Sequence, residues 1–201
     1  VEWYFDRVGS LTGAIFAKDI EGIVTTGTGV VNYTTPSGVS QDVIITGPAN
    51  DLGGTLKGFE LAYQQTYDFL PGVLSGLGSQ LTYTYVDGGD FRNPNLSSIG
   101  SPSVASGSAP LNGGPFTFSQ PLAGISEHTI NATLFYEKGP LAMRAAYNWR
   151  SEFLITPRDD IFPFSPIWQE AGGQLDASIF YDVTKFMKIG VQGVNLLDEI
   201  T

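Results

Sequence analysis

The 201-residue sequence predicts an all-β protein, an antiparallel up-and-down transmembrane β-barrel. Apolar and polar residues alternate along one segment after another, which gives each predicted strand an apolar and a polar face. Short turns and long loops alternate between successive strands, as a barrel in an outer membrane requires. Charged residues make up only 15% of the chain, whereas a soluble domain has about 25%. A face that meets lipid explains this low charge.

The first half of the chain supplies four of about eight predicted strands. The third of them shows the alternation most clearly, because Phe59, Leu61 and Tyr63 face one way while Glu60 and Gln64 face the other. The turn that follows it is apolar, which is typical of a position at a membrane boundary. The four predicted strands are residues 1–5, 10–20, 55–69 and 77–87.

The second half supplies four more strands in two hairpins. In the last hairpin Leu175, Ala177 and Ile179 alternate with Asp176 and Ser178. A tight Lys-Gly-Pro turn joins the two strands of the preceding hairpin, whose second strand has no charge on its apolar face. The four predicted strands are residues 128–137, 141–151, 173–183 and 186–197.

Long loops are predicted at residues 21–54, 88–127 and 152–172, the first with a small hairpin of its own around residues 42–46. They alternate strictly with short turns. A β-sandwich with Greek-key connections gives no reason for this order. The predicted strands mostly have about ten residues, the length that crosses a bilayer at a tilt of about 45°.

Composition excludes several classes of function. A net charge of −10 argues against nucleic-acid binding, which requires a basic surface. The chain has no Cys and a single His, His128, so neither a thiolate nor a His-based metal site is expected. The acidic pairs at 159–160 and 198–199 lack the framework of a glycosidase or a Ca²⁺ loop. We therefore expect no enzyme activity, no metal and no cofactor.

No run approaches the roughly 18 apolar residues of a membrane helix, so a helical membrane protein is excluded. The sequence starts within a strand, without a signal peptide, and stops at Thr201 before any closing strand. We therefore expect a fragment of a larger barrel.

Several motifs, taken in order, resemble one family. The segment Asn195 to Asp198 (NLLD) follows a GVQGV strand and resembles the NLFD-type ending of the penultimate barrel strand in TonB-dependent receptors. The segments FDRVGSLTGAIFAKDI, GFELAYQQTYDFLPG and LFYEKGP followed by RAAYNWRS are similar to the C-terminal half of that barrel. The resemblance covers nearly the whole chain and is weakest in the three long loops. It is greatest to the proteobacterial branch that is linked to carbohydrate or other non-siderophore uptake.

The resemblance implies a 22-stranded barrel in the outer membrane, with an N-terminal plug domain and a TonB box that couples transport to the proton-motive force. This chain would form late strands of the barrel wall and ligand-facing loops. Its partners would be outer-membrane lipid, the receptor's own plug domain, the TonB complex and a small-molecule solute, carbohydrate or siderophore-like. The work would be energised uptake without chemistry on the solute.

The third long loop holds the candidate ligand-binding residues. Aromatic rings beside charged groups are typical of a sugar-binding surface, since C–H groups stack on the rings and hydroxyls bond to the polar groups. The alternative is a loop that packs on itself with its charges solvated. The candidates are Arg158, Asp159, Asp160, Phe162, Phe164 and Trp168.

Charged residues of the polar face are predicted to line the lumen and contact the plug, or else simply to be solvated in a polar interior. These are Glu60, Asp68, Arg144, Arg150 and Asp176. On the opposite face, large aromatic residues are predicted to form girdles at the lipid–water boundaries. These are Tyr83, Tyr85, Tyr147, Trp149 and Tyr181.

Two alternatives to a TonB-dependent receptor stay open at this point. One is a passive porin or small structural barrel. The other is a soluble β-rich carbohydrate-binding or hydrolytic domain, which predicts a buried apolar face, whereas a barrel predicts apolar residues that face outward.

Overall fold

A computed structural model describes residues 1–5, 8–51, 53–89, 91–92, 119–156 and 166–199. Within these ranges no helix is long and apolar enough to cross a membrane. One short 3-10 helix spans Gly72–Gly76. The strands are β1 (Glu2–Phe5), β2 (Gly9–Ile20), β3 (Ile23–Thr34), β4 (Ser40–Asp51), β5 (Gly54–Thr66), β6 (Leu77–Asp87), β7 (Phe91–Arg92), β8 (Ser119–Gln120), β9 (His128–Lys138), β10 (Leu141–Arg150), β11 (Phe153–Thr156), β12 (Ile167–Gln169), β13 (Gly172–Thr184) and β14 (Met187–Gly193).

Eight of the strands form one sheet in the order β1-β2-β5-β6-β9-β10-β13-β14, and every neighbouring pair is antiparallel. The order follows the chain, apart from three small hairpins that lie outside the sheet (β3–β4, β7–β8 and β11–β12). The predicted all-β, up-and-down architecture is confirmed. Because the strands alternate in direction, all the short turns lie at one end of the sheet, the turn end. The long connections lie at the other end, the loop end.

The register separates an apolar face from a polar face across the whole sheet. One row of directly paired residues is almost entirely apolar, and the next row along the strands is almost entirely polar. The apolar row is Trp3, Leu11, Tyr63, Leu81, Ala132, Tyr147 and Leu175. The polar row is Thr12, Ala62, Thr82, Asn131, Asn148 and Gln174.

The apolar face of the sheet is exposed. Leu134 is 55% exposed and Ile189 is 56% exposed, although both lie on this face. In the described part of the chain only Leu56, Phe91 and Leu154 are buried apolar residues, and all three lie at the loop end. A soluble domain would bury its apolar face, and the observed exposure argues against that alternative. The face fits contact with lipid instead.

Three Phe residues on the polar face lie against glycines of neighbouring strands. A Cβ atom added to Gly78 would lie 2.3 Å from the ring of Phe135, and one added to Gly190 would lie 2.2 Å from the ring of Phe180. Phe16 covers Gly58 in the same way. The ring takes the space that a side chain would occupy, which restores packing at a position where glycine alone weakens a strand. The pairs explain why bulky apolar residues occur on the polar face.

The first long connection differs from its prediction. We expected a loop at residues 21–54 with a small hairpin around residues 42–46, but β3 and β4 pair over their full length, from Ile23–Asp51 to Thr34–Ser40. Their sequence lacks a continuous apolar face, so periodicity did not indicate the strands.

Strand ends also shift. β5 ends at Thr66 and not at residue 69, and β14 ends at Gly193 and not at residue 197. Beyond β14 the chain leaves the ladder, since Asn195 and Asp198 adopt positive φ angles of 52° and 54°. The third long loop contains the short hairpin β11–β12, which stands on the loop end of the sheet.

Candidate functional site

A cavity of about 810 Å³ opens at the loop end of the polar face. Its floor consists of three amide side chains on three adjacent strands: Asn131 on β9, Asn148 on β10 and Gln174 on β13. Asn148 pairs directly with Asn131 on one side and with Gln174 on the other, so the three amides form one row across the sheet. We call this row the amide floor.

Hydrogen bonds fix the outer members of the amide floor. The Asn131 amide nitrogen donates to the Thr82 hydroxyl at 3.1 Å. The Gln174 amide nitrogen donates to a carboxylate oxygen of Asp176 at 2.9 Å, and the same oxygen accepts the backbone N–H of Asn195 at 2.9 Å. Asp176 therefore orients the floor and holds the segment that follows β14. The amide oxygens of Asn131 and Gln174 remain available as acceptors in this arrangement.

The β11–β12 hairpin forms one wall of the cavity. Phe153 and Trp168 both line it, and Trp168 is 44% exposed. Leu154 pairs with Trp168 across the hairpin and is only 1% exposed, so a small apolar core anchors this wall. An exposed indole ring on a buried anchor is a ready surface for stacking.

Arg150, the last residue of β10, stands at the corner between floor and wall. Its Nε donates to the Ser126 hydroxyl at 2.8 Å, and a terminal nitrogen donates to the Gly124 carbonyl at 3.2 Å. The guanidinium carbon lies 3.7 Å from the centre of the Phe153 ring. The residue thus contacts two different loops at once.

The charges of the cavity are mixed in sign. Among the described residues that line it, Arg150 is the cation and Glu170 and Glu199 are the acids. The ion pairs found in the described ranges lie elsewhere, between Glu127 and His128 and between Asp182 and Lys188. No group of metal-ligating side chains occurs among the described residues. The arrangement can bind a solute by hydrogen bonds and stacking.

Of the six predicted ligand-binding residues, Trp168 lies among the residues that the structure describes. Trp168 lines the cavity, as described above. The other candidates, Arg158, Asp159, Asp160, Phe162 and Phe164, lie outside the described residues. Sequence reasoning missed the amide floor and Phe153. The amides occupy polar positions of their strands, but only the register reveals that they lie side by side.

The predicted lumen-facing residues occupy different places. Glu60 lies on the polar face of β5, paired with Ala14 and Thr84. Asp68 lies in the turn beyond β5 and is exposed. Arg144 is exposed on the polar face, in a second cavity of about 420 Å³ that is also lined by Phe135 and Phe180. Arg150 lines the first cavity, and Asp176 accepts a hydrogen bond from Gln174 of its amide floor, as described above.

Aromatic residues of the apolar face cluster near the loop end. Tyr83 and Tyr85 pack against Phe59, with ring centres 5.7 and 5.4 Å away, and both also contact the ring of His128. The Tyr83 hydroxyl lies 2.8 Å from Nδ1 of His128. Near the turn end Tyr181 is 46% exposed on the same face. Polar-tipped rings near both ends of an exposed apolar face suit the two boundaries of a membrane.

An exposed apolar face, a polar face with a cavity and short turns at one end together define the wall of an outer-membrane β-barrel. The chain belongs to the TonB-dependent receptor family: residues 1–196 match the family described as TonB dependent receptor-like, beta-barrel. Proteins of this family reside in the outer membrane and are transporters and not enzymes. Membership of this family argues against the alternative of a passive porin.

Among solved structures, a mutant of the ferric enterobactin receptor from Pseudomonas aeruginosa is similar, with a TM-score of 0.57 and 17% sequence identity. The match covers 98% of this chain and 24% of the receptor, so the chain spans about a quarter of that protein. This likeness supports the barrel fold alone. No curated protein matches the sequence.

Proposed function

We propose that the protein containing this chain imports an uncharged, polyhydroxylated solute of the carbohydrate class across the outer membrane, with energy delivered through TonB. The single observation behind the solute class is the amide floor beneath an aromatic wall. The cavity of about 810 Å³ is in the range of pockets that hold small molecules.

Amides and exposed rings suit the chemistry of a sugar. Each side chain of the amide floor has two donors and one acceptor oxygen, so it can bond to a hydroxyl in either direction. Trp168 and Phe153 offer flat surfaces to the C–H faces of a pyranose ring. The spacing of neighbouring strands, about 4.8 Å, lets the three amides reach successive groups of one extended solute.

Charge argues against an anionic ferric complex. The described lining contains one cation and two acids, and the chain as a whole has a net charge of −10. An anionic ligand would meet a field of the same sign, which lowers both its local concentration and its affinity. The similar receptor is named for ferric enterobactin, but 17% identity gives no support for transferring that ligand to this chain.

The plug domain and the TonB complex are the proposed partners. The polar face carries exposed Glu60 and Arg144 away from the amide floor, and in a closed barrel this face surrounds the lumen. A plug would occupy that lumen and would have to move before a bound solute could pass. Energy from TonB supplies that movement.

Uptake by cells that express the full-length receptor tests the proposal. We expect labelled neutral hexaoses (glucan, xylan or chitin type) to enter at low micromolar concentration, and we expect entry to stop in a strain without TonB or after addition of a protonophore. Ferric enterobactin should not compete. Entry that continues without TonB would indicate passive diffusion, and uptake of ferric enterobactin together with no hexaose uptake would contradict the solute class.

A matched pair of variants ties the result to the cavity. Asn148→Ala removes the central amide of the floor and should weaken hexaose binding by about tenfold, the effect of roughly one or two lost hydrogen bonds. Gln80→Ala removes an amide from the polar face outside that cavity and should leave binding unchanged. Equal effects of the two variants would contradict the site.

A further inference from the structure

The contacts of Arg150 join two loops that are far apart in sequence. Its two hydrogen-bond acceptors, the Ser126 hydroxyl and the Gly124 carbonyl, belong to the end of the second long connection. The ring on which it stacks, Phe153, lies near the start of the third long connection, as the first residue of β11. In the described part of the chain no carboxylate forms an ion pair with Arg150. Its fixed partners are therefore neutral protein groups, which suggests a structural use of the guanidinium.

Further hydrogen bonds connect the same two segments. The Ser126 hydroxyl donates to the Ser151 carbonyl at 2.9 Å, and Ser126 is only 6% exposed. The Gly124 N–H donates to the Leu154 carbonyl at 2.8 Å. Residues 121–127 and 151–156 thus form one connected unit, which we call the loop base. Arg150 contacts both segments of this unit on the side that faces the cavity.

The geometry requires arginine and not only a positive charge. Nε and a terminal nitrogen point along one edge of the planar guanidinium and reach two acceptors, while its face lies on Phe153. A lysine has one nitrogen, no planar face and no fixed fork, so it cannot make these three contacts together. Phe153 and Leu154 in turn pair with Gln169 and Trp168.

We propose that Arg150 is a positioning residue that locks the loop base, so that Phe153 and Trp168 stand over the amide floor as a preformed wall before any solute binds. The lock itself follows from the contacts above, and its role in affinity rests on the proposed function. A preformed wall reduces the entropy lost on binding, because the aromatic side chains and their loops are already ordered. Loss of the lock should lower affinity without changing the energised step.

Hydrogen exchange of the full-length receptor in detergent tests the lock without any solute. In Arg150→Lys and Arg150→Gln we expect amide exchange in peptides covering residues 121–127 and 151–156 to accelerate at least about tenfold, while peptides within β10 and β13 stay protected. Arg144→Lys makes the same chemical change on the same strand and face, and it should leave the loop base unchanged. Ser126→Ala removes the acceptor of Nε and should reproduce the faster exchange by a second route.

Binding and uptake then test the role in affinity. With a hexaose that the wild-type receptor binds, the dissociation constant should rise about tenfold in Arg150→Lys, while the maximal uptake rate at saturation stays as in the wild type. Unchanged exchange in all the Arg150 and Ser126 variants would overturn the lock. Exchange in Arg150→Lys that is as slow as in the wild type would also overturn it, because a positive charge alone would then suffice to hold the loop base. If no hexaose binds the wild type, the proposed function fails, and the exchange data still decide the lock.

Discussion

The assignment of the two faces predicts opposite outcomes for two adjacent substitutions. Ala145 lies on the apolar face of β10, paired with Leu134 and Ala177, and Ala146 lies on the polar face, paired with Thr133 and Asp176. Arginine at position 145 would point into lipid. Arginine at position 146 would point into the polar interior, opposite a carboxylate.

The position of Ala145 along the strand gives the magnitude. β10 runs from Leu141 to Arg150, so at about 3.3 Å per residue Ala145 lies roughly 13 Å from one end and 17 Å from the other, close to the midplane. An arginine on the lipid face at that depth costs about 2–4 kcal/mol. We therefore expect the folding equilibrium of Ala145→Arg to fall about 30- to 700-fold.

The change at position 146 should be nearly neutral. Asp176 is the direct cross-strand partner, and an opposite-charge pair contributes about 0.2–1 kcal/mol. Both variants introduce the same side chain into the same strand, so their difference isolates the effect of the face. The assay is urea unfolding of the full-length receptor in lipid vesicles, followed by Trp fluorescence and by resistance to protease. Equal destabilisation by the two variants would refute the assignment of the faces.

Three further predictions concern other parts of the chain. Gly78→Ala should destabilise the folded receptor by about 1–3 kcal/mol in the same assay, because the added Cβ would lie 2.3 Å from the Phe135 ring. Gly172→Ala should be tolerated, because nothing lies within 4 Å of a Cβ added there. Trp168→Ala should weaken hexaose binding about tenfold in titration calorimetry through loss of the stacking surface, and Ile155→Ala, on the same hairpin but outside the cavity lining, should not. Leu154→Ala should cost about 2–5 kcal/mol of local stability, seen as faster hydrogen exchange in residues 151–156 while exchange in β9 and β10 is unchanged. Faster exchange in those two strands as well would contradict a separate loop-end core.

The sequence predicts most of the barrel wall because local information suffices there. The hairpin of β9 and β10 shows this: residues 128–137 and 141–151 were expected, and the strands span His128–Lys138 and Leu141–Arg150. Alternation fixes the faces, and Gly139, with a φ of 59°, fixes the turn. Lipid on one side forces a strict pattern, which makes such strands easy to recognise.

The β3–β4 hairpin and the amide floor depend on information that a local pattern does not contain. β3 and β4 carry no continuous apolar face, so no strand period appears in their sequence. The floor depends on the register between three strands, and Asn131 and Gln174 are 43 residues apart by their numbers. A shift of one residue in either pairing would turn a strand's amide to the apolar face, since side chains alternate along a strand.

The two ends of the sheet are stabilised in different ways, and this difference explains the position of the site. Where strands cross lipid, the apolar face needs no core, because the bilayer itself covers it. At the loop end the protein meets water again, and the three buried apolar residues of the described part of the chain, Leu56, Phe91 and Leu154, all lie there. A binding wall that must keep its shape in water therefore requires its own small core and its own hydrogen-bonded lock. Arg150 lies at the boundary between the lipid-covered part of the sheet and the loop end. It is the last residue of β10, and it also contacts the loop base. At this position a single side chain can join the rigid sheet to the rigid wall.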